Sequence, residues 1–372
     1  MSRLRLAVVG TGRLGRIHAR IAAALQSVQL VAVVDPVASA REKVAAETGA
    51  QPLADYRDLF GDVDAAIVAT PTSSHLQVAC DLLRGGLHLL VEKPLAASPE
   101  DAQQLVELAR RQQLVLQVGH VERFNPALTS VRDRLADPKY IEAKRLSGYP
   151  FRSTDIGVVL DLMIHDIDVV LTLVQSPVEQ IDAVGISVLG NHEDMVNARL
   201  RFASGCIANL TASRVSYAPQ RSMQVFTSHC CATIDFAARR STIVEPDAKV
   251  LGREFSLDAL SPEQKNHLRE HLFTDLLVKH ELPALDTNAI EQEQLDFAAS
   301  IRLGSSPQVS ANDGRDAVAV AQRIVEQVRS HAWDGQKSAR RGAFAMPESL
   351  SMIAGVDPWS LEDTVVMRRK AG

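Results

Sequence analysis

A glycine-rich turn between a short apolar strand and a helix constrains the fold of this chain more than any other feature. Residues 4–15 read L-R-L-A-V-V-G-T-G-R-L-G, and residues 16–25 predict the helix that follows. Gly10 permits a tight turn, Gly12 lets the backbone approach a pyrophosphate, and Gly15 lets the helix pack closely on the strand. The helix N-terminus then offers free N–H groups and a positive dipole end to the phosphates. This stretch predicts a dinucleotide-binding site.

The end of the second predicted strand indicates which dinucleotide binds. Residues 30–34 form an apolar run that ends in Asp35, followed by Pro36. A carboxylate at this position accepts hydrogen bonds from the adenosine ribose hydroxyls and repels a 2′-phosphate. The alternative is an ordinary turn residue before proline. Together with the glycine turn, Asp35 favours NAD over NADP as the cofactor.

Short apolar strands alternate with helices as far as residue 119. The predicted strands cover residues 65–69, 87–91 and 114–118, and the predicted helices cover residues 39–48, 76–83 and 99–111. This alternation predicts an α/β fold with a doubly wound parallel sheet, a Rossmann domain, over residues 1–119. Two of these strands end in A-T-P-T-S-S-H and E-K-P, at the carboxyl edge of the sheet where ligands bind.

From residue 120 the pattern changes to strands in series, after a charged helix that opens with G-H-V-E-R-F-N-P. Strands are predicted over residues 140–148, 181–189, 195–202, 206–216 and 222–236, and helices over residues 159–174, 262–281, 289–303 and 313–330. Strands without intervening helices predict an α+β domain with an open, largely antiparallel sheet over residues 120–330. Residues 331–372 are predicted to be an irregular arm around a partner or a disordered tail.

Charge and composition argue against several classes of function. The formal net charge is −5, whereas a nucleic-acid surface needs clustered Lys and Arg. No apolar run approaches the ~20 residues that cross a bilayer, and the first residues lead directly into a strand rather than a signal peptide. The four cysteines lack C-x-x-C spacing, and His267 and His271 have no third ligand nearby in the sequence. We therefore predict a reduced, cytoplasmic protein with no metal site.

Three residues could carry chemistry beside a bound dinucleotide. Lys93 follows a strand at the carboxyl edge, and Asp161 and His165 lie four residues apart on one stripe of an apolar helix, with Asp168 three further on. The alternatives are a solvated loop lysine and a salt-bridged core helix. Oxidation of a hydroxyl needs a base for its proton, which suits histidine, and a lysine can stabilise the developing alkoxide. A carboxylate can orient the pair.

In this order and spacing, G-T-G-R-L-G, Asp35, A-T-P-T-S-S-H, E-K-P and D-L-M-I-H-D-I-D resemble the Gfo/Idh/MocA family of sugar and cyclitol oxidoreductases. The resemblance covers roughly residues 3–330. It implies that Lys93, Asp161 and His165 act at the substrate carbon, and that the second sheet is often buried in homodimers or homotetramers. Members with a more typical motif have glycine where Met163 stands, which implies a bulkier or slightly shifted helix beside the substrate.

The loop G-H-V-E-R-F-N-P and residues 212–216, A-S-R-V-S, resemble a branch of the family that includes UDP-N-acetylglucosamine 3-dehydrogenases. An NAD-dependent oxidation of that nucleotide-sugar is the leading prediction. The alternatives are oxidation of free inositol or a simple sugar, and a regulator that binds NAD or a sugar without catalysis. No nucleic-acid or membrane partner is predicted.

These considerations give a set of candidate site residues. The predicted cofactor-binding residues are Gly10, Thr11, Gly12, Arg13, Leu14, Gly15, Asp35, Thr70, Pro71, Ser73, His75, Glu92 and Lys93. The predicted substrate-binding residues are Arg123, Arg152, Asp155, Asp161, His165 and Arg214. The arginines are candidates because guanidinium offers a fork of donors to a diphosphate or to hydroxyls.

Overall fold

The computed structural model describes residues 3–151, 156–189, 191–283, 286–333 and 341–343. Two sheets organise this part of the chain. The first is six-stranded and parallel, and the second is eight-stranded and mostly antiparallel. The predicted fold class is confirmed, and the division at residue 119 stays a prediction.

The first sheet has the strand order β3-β2-β1-β4-β5-β6. All its strands are parallel, but the side on which successive strands are added changes between β1 and β4. Its strands are β1 (Leu4–Val9), β2 (Val28–Val34), β3 (Gln51–Leu53), β4 (Ala65–Val68), β5 (His88–Glu92) and β6 (Leu116–Gly119). Its helices are α1 (Arg13–Ala24), α2 (Ala38–Thr48), α3 (Thr72–Arg84) and α4 (Pro99–Arg111). Such a change of side opens a crevice at the carboxyl ends of the strands, where ligands bind.

The second sheet has the strand order β14-β13-β12-β11-β7-β10-β9-β8. Its strands are β7 (Tyr140–Leu146), β8 (Val178–Ile186), β9 (Met195–Phe202), β10 (Ile207–Ser213), β11 (Gln220–Phe226), β12 (Cys231–Asp235), β13 (Arg240–Pro246) and β14 (Leu277–Leu282). The helices of this part are α5 (Pro126–Thr129), α6 (Ile164–Val174), α7 (Ala248–Leu251), α8 (Pro262–Asp275), α9 (Ala289–Leu303) and α10 (Ala311–Ser330). Residues of α6 and α10 form one apolar core with the inward-facing residues of the sheet.

The structure corrects three predicted elements of the second part. The strand predicted over residues 222–236 is two strands, because Thr227 and Cys230 close a hydrogen-bonded turn between β11 and β12. The helix predicted over residues 262–281 ends at Asp275, and the following residues pair with β13 as an edge strand. The segment after residue 120 forms two short helical turns rather than one charged helix.

Two further observations concern the predicted domain boundaries. Helix α9 belongs to the second domain by sequence position, yet its residues Phe297 and Ala298 lie in a core cluster of the first sheet. Most of the predicted tail, residues 331–372, lies outside the described residues; in its described part, Ala332 pairs with Arg341 and the Ala343 carbonyl accepts a hydrogen bond from Ser187.

No helix among the described residues is long and apolar enough to span a membrane. The four cysteines are free thiols, and burial raises the pKa of Cys206 to about 11. The predicted cytoplasmic location and self-association stay predictions.

Candidate active site

The glycine turn has the local geometry that a dinucleotide requires. Gly10 has φ +93°, and a Cβ there would lie 2.6 Å from the Ala69 carbonyl oxygen. A Cβ on Gly15 would overlap the Gly10 carbonyl oxygen, whereas a Cβ on Gly12 would meet nothing within 4 Å. Two glycines therefore serve close packing and the third faces open space, as predicted from their spacing. Gly12 provides no side-chain cap, so the N–H groups in the first turn of α1 remain available to an anion.

A cavity of about 600 Å³ lies at the point where the strand order reverses. It is lined by Gly10, Gly12, Asp35, Thr70 and Pro71 together with apolar neighbours. Gly15 is buried under the turn, and the remaining predicted residues of these loops, Thr11, Arg13, Leu14 and Ser73, lie beside it with mixed exposure. The cavity fits the adenosine and phosphate part of NAD.

Asp35 closes the glycine loop as well as facing the cavity. Its Oδ2 accepts a hydrogen bond from the Thr11 N–H at 2.8 Å, and its Oδ1 accepts one from the Val37 N–H at 2.9 Å. The hydroxyl of Thr70, which also lines the cavity, is buried and has no hydrogen-bond partner among the described residues. Because a buried polar group is normally paired, this hydroxyl fits a site that a polar ligand completes.

Glu92 and His75 hold the loop that carries Lys93 and Pro94, and neither lines the cofactor cavity. The Glu92 carboxylate contacts His18 Nε2 at 2.7 Å and accepts a hydrogen bond from the Lys93 N–H at 3.2 Å. The His75 ring lies 2.9 Å from both the Pro94 and the Thr70 carbonyl oxygens. These contacts tie the Lys93 loop to α1 and to the loop after β4. The cofactor contacts predicted for both residues stay predictions.

One buried cluster has the composition of a metal site but a different bonding pattern. Ligand atoms of His18, Glu92 and Glu293 lie within 4.8 Å of one another. However, His18 is hydrogen-bonded to Glu92 and to Gln294. Burial and the neighbouring Glu92 charge hold the pKa of Glu293 well above its usual range. We interpret the cluster as a hydrogen-bonded support for the loop that carries Lys93.

The second part of the chain brings Asp161 against Lys93. The Lys93 ammonium donates to the Asp161 carbonyl at 2.6 Å and lies 3.3 Å from its carboxylate. The two side chains are 16% and 17% exposed, so the pair is largely enclosed but still accessible to solvent. Asp161 lies in a π-helical turn, Val159–Met163, instead of the regular helix that was predicted. Such turns recur at functional sites because they displace the backbone from the α-helical register.

His165 completes the cluster as a neutral imidazole. Burial and the positive charges of Lys93 and Arg145 hold its pKa well below its usual range. Its Nδ1 is buried without a partner among the described residues, and the side chain as a whole is partly exposed. A neutral ring can accept a proton at neutral pH. Met163 is fully buried in the core and so does not face the cleft.

The structure gives Arg123 and Arg214 protein partners. Arg123 forms a bidentate ion pair with Asp168, at 2.7 and 2.8 Å. The Arg214 Nε lies 2.7 Å from Asp194, and neither side chain of that pair has exposed surface. Both arginines are therefore enclosed, and their predicted substrate contacts stay predictions. Arg152 and Asp155 lie outside the described residues.

The sequence analysis did not identify three residues whose charges or rings act on His165. His120 follows β6 and is fully buried, with both ring nitrogens unpaired in the described part of the chain. Arg145 and Arg221 lie on β7 and β11, and like His120 they act electrostatically on His165. The alternation of side chains along each strand could have revealed the two arginines, because an arginine at a core-facing position is exceptional.

The glycine turn, the cavity at the point where the strand order reverses and the acid at the end of β2 define a dinucleotide-binding protein. The chain belongs to the Gfo/Idh/MocA oxidoreductase family. Residues 4–120 match the family's NAD-binding Rossmann domain and residues 130–232 match its C-terminal domain. The family resemblance and the NAD cofactor inferred from sequence are thus confirmed.

Several characterised proteins are similar to this chain. The UDP-N-acetylglucosamine 3-dehydrogenase of Acidithiobacillus ferrooxidans is 39% identical over 237 residues, 63% of this chain and 75% of that one. The scyllo-inositol 2-dehydrogenase (NAD(+)) of Bacillus subtilis is 30% identical over 233 residues, 57% and 68% of the two chains. A solved structure of the Acidithiobacillus enzyme superposes with a TM-score of 0.77 at 31% identity, covering 88% of this chain and 98% of that one.

Proposed function

We propose that the protein oxidises a ring hydroxyl of a sugar with NAD, and that its substrate is UDP-N-acetylglucosamine, oxidised at C3. The observation that carries the reaction is the pair of Lys93 and Asp161 beside a neutral His165, whose pKa the Lys93 charge helps to lower. The substrate is supported by the 39% identity to an enzyme of that activity and by the near-complete structural coverage.

The roles of the three residues follow from their charges. His165 takes the proton of the substrate hydroxyl, since its ring is neutral and partly exposed. The Lys93 ammonium stabilises the negative charge that develops on the substrate oxygen. Asp161 holds that ammonium through its carbonyl and carboxylate oxygens. When NAD is bound by the glycine turn and Asp35, it supplies the acceptor for the hydride.

A substrate panel tests the proposal. NADH formation is followed with NAD and, in turn, UDP-N-acetylglucosamine, UDP-glucose, myo-inositol and glucose. We expect a rate with UDP-N-acetylglucosamine that exceeds all others. A rate with inositol or glucose alone would overturn the substrate but keep the chemistry, and no rate with any compound would favour a non-catalytic regulator.

Asp35 is expected to set the cofactor preference. Asp35→Ala removes the acceptor for the ribose hydroxyls and the hydrogen bond to Thr11, so the Kd for NAD rises about tenfold or more. The relative use of NADP increases because the repulsion of its 2′-phosphate is lost. Steady-state kinetics with both cofactors measures the change, with the exposed Asp133→Ala as control. An unchanged NAD/NADP ratio in Asp35→Ala would contradict this role.

The pH dependence of sugar oxidation reports on His165. Because its pKa lies below 6.5, the ring is already neutral at pH 7, and kcat/KM falls only at a more acidic pH. In the reverse direction the ring must give a proton, so the rate falls as the pH rises through the same pKa. Rate profiles in both directions check this. An acid limb centred above pH 6.5 would show that His165 is not the base.

A further inference from the structure

Arg221 lies on the core-facing side of the second sheet, beside the proposed catalytic histidine. It pairs across the sheet with Arg145, so the two side chains leave the sheet on the same face. That face carries Met223 and Val225 of the same strand, both fully buried in the core with α6. Unlike them, Arg221 is exposed, because it lies at the beginning of β11, beyond the buried part of the strand.

The two neighbouring arginines differ in how their charges are balanced. Arg145 is buried and lies 2.8 Å from both Glu122 and Asp166. Arg221 has no ion pair or side-chain hydrogen bond within the described ranges, although its charge acts on both His165 and Asp166. Like charges directly opposite each other destabilise a sheet. The fold therefore gains no visible stability from Arg221.

The other arginines considered for the substrate are differently placed. Arg123 and Arg214 are each committed to a buried aspartate. Arg221 is instead exposed, on the same face of the sheet as Arg145, and its charge acts on His165. An exposed arginine fork is well suited to phosphate oxygens, which it binds through paired hydrogen bonds.

We propose that Arg221 forms an anion subsite of the substrate cleft and binds the diphosphate of a nucleotide-sugar while the sugar ring reaches His165. This inference rests on the proposed function, because it requires a substrate with a phosphate group close to the oxidised ring. Arg221 sets substrate specificity: it favours a nucleotide-sugar over a neutral polyol and takes no part in proton transfer.

The test compares Arg221→Gln and Arg221→Lys with Arg201→Gln. Arg201 is an exposed arginine on the outward-facing side of β9, so it is a matched control outside the cleft. The probe is UDP, whose affinity for the NAD-loaded enzyme is measured by calorimetry. We expect Arg221→Gln to weaken UDP binding about 10- to 100-fold, Arg221→Lys to weaken it less, and Arg201→Gln to leave it unchanged.

Kinetics and stability separate this role from a structural one. With UDP-N-acetylglucosamine, Arg221→Gln should raise KM far more than it lowers kcat, and its Tm should equal or exceed that of the wild type. Unchanged UDP affinity in Arg221→Gln, or no UDP binding by the wild type, would overturn the anion subsite. If UDP binds in an Arg221-dependent manner but no sugar is oxidised, the subsite stands and the proposed function fails.

Discussion

Replacing His165 by asparagine is expected to lower kcat for sugar oxidation by about 10²- to 10⁴-fold, the usual contribution of a general base. Asparagine keeps a polar group of similar reach but cannot take up a proton near neutral pH. The Kd for NAD should stay within about twofold, because His165 lies on α6, far in sequence from the glycine turn, and is assigned to proton transfer rather than cofactor binding. Stopped-flow turnover and NAD titration by fluorescence measure the two quantities separately.

A companion substitution distinguishes proton transfer from charge stabilisation. Lys93→Met removes the ammonium that faces Asp161 and should lower kcat by about 10²- to 10³-fold. Exposed residues provide the controls, His267→Asn and Lys43→Met, and both should retain full turnover. If either cleft variant lost NAD binding while keeping turnover at saturating cofactor, the assignment of roles would be wrong.

The largest stability effect is expected at the buried pair of Arg214 and Asp194. Asp194→Asn removes the buried carboxylate that pairs with the Arg214 guanidinium, and breaking such a pair costs about 3–5 kcal/mol in free energy of unfolding. The Asp194 carboxylate also accepts the Val188 and Leu189 N–H groups, at 2.6 and 2.7 Å. Urea denaturation measures the change, with the exposed Asp182→Asn as control.

The Arg214–Asp194 pair also predicts how the free energy of unfolding depends on pH. Burial alone would raise the pKa of Asp194, but the two backbone N–H groups and Arg214 outweigh it, so the pKa is lowered. Its stabilisation is therefore full above the unfolded-state pKa and is lost as the pH falls through the lower, folded-state value. Asp194→Asn should flatten this acid dependence. A change below about 1 kcal/mol at neutral pH would indicate that Arg214 is not anchored as described and would restore it as a substrate contact.

The first sheet and the cofactor site could be predicted because their signals are local. The positive φ of Gly10 and the packing of Gly15 on the Gly10 carbonyl both belong to one turn of six residues. Asp35 is likewise placed by the end of its own strand. Lys93 and Asp161 are distant in sequence; strand-end position and helical spacing selected them separately, and the family resemblance placed them at one substrate carbon.

The second part of the chain was harder because its contacts depend on which strands become neighbours. β7 pairs with β10 and β11, neither of which adjoins it in sequence. Arg145 and Arg221 therefore become neighbours only in the folded sheet. The ion-pair partners of Arg123 and Arg214 could not be predicted for the same reason. Asp168 and Asp194 lie 45 and 20 residues away from them in sequence. The pattern of apolar residues around Asp161 is that of an ordinary α-helix, so it did not predict the π-helical turn.

The central claim is that a hydride leaves C3 of UDP-N-acetylglucosamine for NAD. The most direct measurement uses substrate deuterated at C3 and determines the mass of the reduced dinucleotide. The account predicts that the deuterium appears in the reduced cofactor, and that His165→Asn slows its appearance without changing the labelled position. Reduced cofactor that carries no deuterium would place the oxidation at another carbon and contradict the claim.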